Sequence, residues 1–213
     1  TSLPVIYVPS WATKNMKFDI GKIGNKFYFE LWGNDQDSIE KLIKQFCDFI
    51  FSFLLITLLS PFFLIIALVI KFTSKGPIIF SQARYGIYGK KFKIYKFRTM
   101  NVLDSGFEKN LKQVSINDIR VTKIGRFLRS WSLDELPQLF NVLSGQMSLV
   151  GPRPHAVAHN EKYRKLILGY MQRHSLKPGI TGLAQVNGLR GETKDIKEME
   201  DRLSADLEYQ NNW

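Results

Sequence analysis

The sequence predicts an α+β domain held on a bilayer by a re-entrant helix that is kinked at a Ser-Pro pair. Three observations lead there: an uncharged run from Phe49 to Ile70, a hairpin pattern from Ile78 to Met100, and an Asp134-Glu135 pair set among arginines. A chain of 213 residues suits one such domain with its own core and a small appendage. The expected boundaries are 1–38 for the remnant or linker of an upstream domain, 39–75 for the membrane helix and 76–213 for the functional domain, its C-terminus cut short.

Residues 1–38 read as short extended pieces broken by Pro4, Pro9, Gly21, Gly24 and Gly33, with "KFYFELWGN" as a strand ending in a turn. Asp37 and Ser38 can cap a helix beginning at about Ile39. The uncharged run that follows is roughly 22 residues, long enough to span a bilayer. A spanning helix, a buried soluble helix and a re-entrant hairpin compete. An apolar helix of this length needs a large protein around it to be buried, which weighs against the second. Two features favour the third. Pro61 cannot bond back to Thr57, so the helix should bend there, with the Thr57 and Ser60 hydroxyls satisfying freed backbone groups. Both flanks are basic, Lys41 and Lys44 before and Lys71 and Lys75 after, and positive charge prefers the cytoplasmic side.

After "SKGP", the stretch "IIFSQARYGIYGKKFKIYKFRTM" reads as a hairpin with Gly86 and Gly89 in the turn. Period-two alternation puts Phe92, Ile94, Lys96 and Arg98 on one face, apolar at one end and cationic at the other. That face suits a strand running from the core to a phosphate site; a solvated edge strand explains it equally well. Residues 101–118 are polar and loop-like. Thr122 can cap "KIGRFLRSW", which places Arg126 and Arg129 on one helical face.

The charge asks for an anionic partner. Thirty Lys and Arg against nineteen Asp and Glu give +11, which points to nucleic acid, anionic lipid or a phosphorylated small molecule. The cations cluster at 90–98, 120–129 and Arg153, interleaved with apolar residues. No zinc-finger or RNP-type signature accompanies them, so nucleic acid is not the expected partner. The single cysteine, Cys47, excludes an intramolecular disulfide framework and a Cys-based zinc site, and a reducing cytosolic setting fits it.

Ser132 with Glu135 three residues on is a capping-box pattern, and Asp134 then sits in a first helical turn. Good first-turn residues explain that pattern anywhere, but here Arg126, Arg129 and the "GPRP" at Gly151–Pro154 flank it. A carboxylate among arginines should stay ionised and can act as a nucleophile. The second carboxylate can hold Mg²⁺, which takes few carboxylates plus phosphate oxygens. The arginines would neutralise a transferring phosphoryl group.

"SQARYGIYGKKFKIYKFRTM", "VTKIGRFLRSWSLDELPQLFNVLSGQMSLVGPRP" and "LKPGITGLAQVNG" resemble the bacterial sugar transferase family, the monotopic polyprenyl-phosphate phosphoglycosyl transferases. The resemblance covers roughly residues 44–213, and "GPRPHAVAHNEKY" and "GYMQRHSLKPGITGLAQVNGLRGET" look most like the branch that moves glucose onto undecaprenyl phosphate. It implies that Asp134 attacks the sugar-bearing phosphate of a UDP-sugar, UMP leaves, and undecaprenyl phosphate takes the phosphosugar from Asp134. Glu135 falls on the Mg²⁺ ligand, Arg129 and Arg153 on the family's arginines, Lys96 on the "YKF" lysine, and Asp206 on the Asp of "D-x-x-Y". Ser60 and Pro61 fall on the Ser-Pro of the re-entrant helix. With Arg98 and Arg126, these make the expected phosphate-binding set. Glucose 1-phosphate is the expected cargo, as the first membrane step of exopolysaccharide assembly, on the cytoplasmic face of the bacterial inner membrane. The rivals are galactose or an N-acetylhexosamine as the sugar, and a non-catalytic scaffold for anionic lipid. Homodimerisation through the absent upstream domain is an open option.

The sequence departs from the family pattern at Gln45, at Leu183, where a Trp is usual, and at Gln146, where an acid is usual. It also stops at Trp213, where the family continues into a membrane-surface segment. His155 and His159 are spaced as helical metal ligands can be, but a polar helix start explains them better. His174 is expected at the surface or facing substrate, and Cys47 in packing. "GIYGK" reads as a turn before a phosphate cradle, and "PGITG" as either a nucleotide-shaping element or a plain loop.

Overall fold

The computed structural model describes residues 19–23, 26–30, 38–101, 118–191, 193 and 195–212. Asp37 and most of the polar segment 101–118 lie outside them. The chain divides into two units, Thr1–Asp37 and Ser38–Trp213. In the first, β1 (Asp19–Ile23) pairs antiparallel with β2 (Lys26–Glu30), Asp19 opposite Glu30 and Ile23 opposite Lys26.

The second unit starts with α1 (Ser38–Thr73), 36 residues that stay helical through Pro61. Ser60 Oγ donates to the Thr57 carbonyl at 2.9 Å, the acceptor that Pro61 cannot reach, and Thr57 Oγ1 donates to the Phe53 carbonyl at 2.9 Å. The helix is long and apolar enough to cross a membrane. It is not a core helix. Leu58 is 75% exposed and Phe72 84%, and only one stripe, through Asp48, Ser52, Phe63, Ile66 and Ile70, turns inward.

β3 (Ile79–Tyr85) and β4 (Lys91–Phe97) form the expected antiparallel hairpin, closed by the turn Ile87–Gly89, with Gly89 at φ +70°. Thr122 caps α2 (Lys123–Ser130), its Oγ1 accepting from Gly125 N at 2.9 Å. A 3₁₀ turn, Leu133–Glu135, leads into α3 (Gln138–Leu143). β5 (Ser148–Val150) then follows, and α4 (Val157–Tyr163). β6 (Gly179–Thr181) runs parallel to β5. The chain closes with α5 (Leu183–Val186) and α6 (Ile196–Asn211). The glycines of "PGITG" serve chain-to-chain packing: a Cβ on Gly179 would stand 2.1 Å from Gly151 N.

Three apolar clusters hold this unit. Ile66 and Ile70 of α1 meet Phe97 and Leu128, with Phe63, Ile124 and Leu136 around them. Ile94, Val142 and Met147 join the hairpin to α3 and β5. Tyr163, Ile167, Tyr170, Met199 and Leu203 join α4 to α6. Each fully buried side chain of this size contributes roughly 1.5–3 kcal/mol.

Two expectations are corrected here. Arg98 does not share a site with Lys96. β4 ends at Phe97, so the period-two alternation stops, and Arg98 turns to the C-terminal end of α1. Its Nη2 donates to the Ser74 carbonyl (2.7 Å), Ser74 Oγ (2.9 Å) and the Ile70 carbonyl (3.4 Å), satisfying the acceptors that end the helix. His174 is not a surface residue. It is buried, stacks edge-on against Tyr85, and burial pushes its imidazole down to about 4.

Candidate active site

The 3₁₀ turn carries the carboxylate pair. Ser132, just before it, adopts a left-handed conformation (φ 57°) and makes no side-chain cap, so the expected capping box does not form. Its hydroxyl instead accepts from Arg190 Nη2 at 3.1 Å. The Glu135 side chain is thereby released from the backbone and points to cations. Oε1 accepts from Lys96 Nζ at 2.7 Å and from Arg153 Nη2 at 2.5 Å, and Oε2 accepts from Arg153 Nη1 at 3.0 Å. The Arg153 contact is a bidentate fork. Burial alone would raise the Glu135 carboxyl, but the Arg153 and Lys96 charges and bonds outweigh it and hold the group far below the usual carboxylate range.

Asp134 is in a different state. It is 7% exposed, and no side-chain donor among the described residues bonds its carboxylate. Burial pushes its pKa up; Lys96 and Arg129 pull it down, and Glu135 adds to the rise. The expectation of an ionised acid held low among arginines therefore fits Glu135, while Asp134 is the more basic of the two. A more basic carboxylate is the better nucleophile once ionised.

Arg129 reaches this turn from α2, its Nε donating to Thr99 Oγ1 at 2.9 Å. Arg126, one turn earlier on α2, is exposed and makes none of the bonds that hold the carboxylate pair. Asp206 does not face the site either. It lies on α6, 2% exposed at the side chain, and forms a 2.6 Å ion pair with Arg173. Arg173 Nη2 also donates to the Arg153 carbonyl at 2.8 Å, and Nη1 donates to His155 Nδ1 at 2.5 Å. Arginine can only donate, so Nδ1 accepts and the His155 proton sits on Nε2. Asp206 thus supports Arg153 from behind through Arg173. Tyr209 donates to the Val150 carbonyl at 3.1 Å.

The structure therefore gathers Asp134, Glu135, Lys96, Arg129 and Arg153, and separates Arg98, Arg126 and Asp206 from them. Sequence reasoning did not single out Arg173, His155 as its partner, or Arg84. The Arg84 signal was present: Gln82 and Arg84 alternate on β3, as Lys96 does on β4.

Mg²⁺ passes a limited test of fit. Glu135 Oε1 takes two donors and Oε2 only one, which leaves Oε2 a lone pair for a hard cation. No group of three or more His, Cys, Asp or Glu side chains gathers among the described residues, so the ion would complete its shell from substrate phosphates and water.

A model of the family described as bacterial sugar transferase matches residues 39–213. A Klebsiella pneumoniae relative described as UDP-glucose:undecaprenyl-phosphate glucose-1-phosphate transferase is 51% identical over all of this chain and 46% of its own length. An Escherichia coli K12 relative with the same description is 48% identical over the same shares. One from Xanthomonas campestris, again so described, is 49% identical over 85% of this chain and 37% of its own length. The chain spans about half the length, or less, of these curated relatives.

Proposed function

The chain belongs to the bacterial sugar transferase family, and from that premise we propose that it moves glucose 1-phosphate from UDP-glucose to undecaprenyl phosphate. The observation that carries this reading is the asymmetry of the carboxylate pair: Glu135 is locked between Lys96 and Arg153, and Asp134 is buried with no side-chain donor among the described residues. The relatives' descriptions supply the substrates.

Asp134 attacks the sugar-bearing phosphorus of UDP-glucose. The bond to the bridging oxygen breaks, UMP leaves with that electron pair, and glucose 1-phosphate stays on Asp134. An oxygen of undecaprenyl phosphate then attacks the same phosphorus, which frees the Asp134 carboxylate and yields the diphosphate-linked sugar. Lys96, Arg129 and Arg153 line the approach with fixed positive charge, which stabilises charge on the transferring group without reorganisation. Glu135, whose Oε2 keeps a free lone pair, would hold Mg²⁺, and the ion would supply Lewis-acid stabilisation of phosphate charge.

The test is UMP release by the purified protein in nanodiscs with Mg²⁺, undecaprenyl phosphate and a panel of UDP-sugars. Release is expected with UDP-glucose. Release only with UDP-galactose or an N-acetylhexosamine donor would change the sugar, and none with any donor would leave the anionic-lipid scaffold.

The same reading places the active site at the cytoplasmic face of the bacterial inner membrane, with α1 entering and leaving on one side. Both ends of α1 engage the same unit. Lys44 and Asp48 bond Ser148 at 2.9 and 2.7 Å, and Ile70 and Ser74 meet Arg98. A straight helix from Asp48 to Ile70 would separate these ends by about 33 Å, roughly a full hydrocarbon core. A spanning helix would drag one of these polar anchors across it. Phe127 on α2 and Trp131 at its C-terminal end, both exposed, suit the interface. Cysteines placed near Lys41 and Lys75 in cells should both resist a membrane-impermeant periplasmic reagent; labelling of either one restores a spanning helix.

A further inference from the structure

Among the described residues, Lys96, Arg129, Arg153 and Arg84 couple electrostatically to the carboxylate pair. Lys96 and Arg153 are committed to Glu135, and Arg129 acts on Asp134. Arg84 bonds no carboxylate among the described residues. Its Nη2 donates to Gln82 Oε1 at 2.6 Å and its Nη1 to the Pro154 carbonyl at a long 3.4 Å, both neutral acceptors. Its Nε is buried and bonded to nothing. Pro154 closes the segment that carries Arg153, so this guanidinium is anchored to the arm that grips Glu135. A half-buried guanidinium with neutral partners and an enclosed, idle Nε is costly unless an anion completes it.

We propose that Arg84 is a further substrate-binding residue of this site, and that its guanidinium takes a non-bridging oxygen of the donor's diphosphate. This rests on the function proposed above. Gln82 then has a role of its own: by accepting at Nη2 it fixes the rotation of the fork. Burial, and then the Arg153 charge, lower the Arg84 pKa to about 10, so the group remains a cation at neutral pH. The competing role is a staple. Arg84 forms a bridge with Ala156 in the backbone, and its side chain ties β3 to Pro154.

Binding without turnover separates the two roles. UDP-glucose is titrated into the Asp134→Asn protein by calorimetry, with inorganic pyrophosphate as competitor and thermal unfolding followed in parallel. Adding Arg84→Gln should weaken UDP-glucose binding by about tenfold or more, the usual worth of a charge-assisted bond, and weaken pyrophosphate competition with it. Arg84→Lys should recover part of that loss, because it keeps the charge and gives up the fork. Unchanged affinity in both variants, with only a fall in Tm, would overturn the proposal and leave the staple. No UDP-glucose binding with Arg84 intact would instead overturn the function on which the proposal rests.

Discussion

Asp134→Asn should abolish sugar-phosphate transfer while leaving the fold intact. The proposed nucleophile contributes an oxygen that the amide cannot replace, so kcat should fall by about 10⁴-fold or more. Asn keeps the shape, and among the described residues Asp134 makes no side-chain bond to another side chain whose loss would unfold the turn. Tm should therefore hold or rise slightly, since a neutral amide avoids the desolvation that raises the Asp134 pKa. Intact-mass measurement after mixing with UDP-glucose, without acceptor lipid, should show the phosphosugar adduct on the parent and none on the variant. The pH dependence follows from the direction of the shift. Only the ionised carboxylate attacks, and its pKa is raised, so the acid limb of kcat/KM should lie above the ordinary aspartate value of about 3.9. Glu135 is held below its ordinary value and stays ionised throughout that window. An adduct that persists in Asp134→Asn would move the nucleophile elsewhere.

Much of this site is readable in the sequence because its determinants are local. The uncharged run needs no partner to declare α1, and the two glycines and period-two alternation declare the hairpin. The Asp134-Glu135 pair, Lys96, Arg129 and Arg153 lie in ordered motifs that carry the family resemblance. What is not readable depends on where the chain goes next. Arg98 continues the alternation on paper, but the strand stops one residue earlier and the side chain finds the carbonyls ending α1. The Ser132–Glu135 spacing spells a capping box, but Ser132 takes a left-handed conformation and the stronger attraction of Lys96 and Arg153 claims the carboxylate. Asp206 sits in a recognisable motif, yet its partner is thirty-three residues away on another element, and only the packing of α6 brings Arg173 to it.

That buried pair should dominate the stability of the site. Asp206→Asn leaves the Arg173 guanidinium charged and without its counter-ion, with both side chains almost fully enclosed. Removing one partner of such a pair costs about 3–5 kcal/mol, which denaturant unfolding would read as a lower midpoint at unchanged slope. Activity per folded molecule should fall as well. Arg173 ties the Arg153 carbonyl to Asp206 and His155, and a loosened Arg153 no longer holds both Glu135 oxygens. The double variant Asp206→Leu/Arg173→Met separates the two effects. Replacing both charges by apolar groups of similar volume commonly restores stability, so its midpoint should return toward the parent value. The Arg153 carbonyl would still lack its donor, so kcat should stay depressed while KM for the acceptor lipid changes little. Full recovery of kcat along with stability would mean that the pair only holds the fold, and that Arg153 is aimed by Glu135 alone.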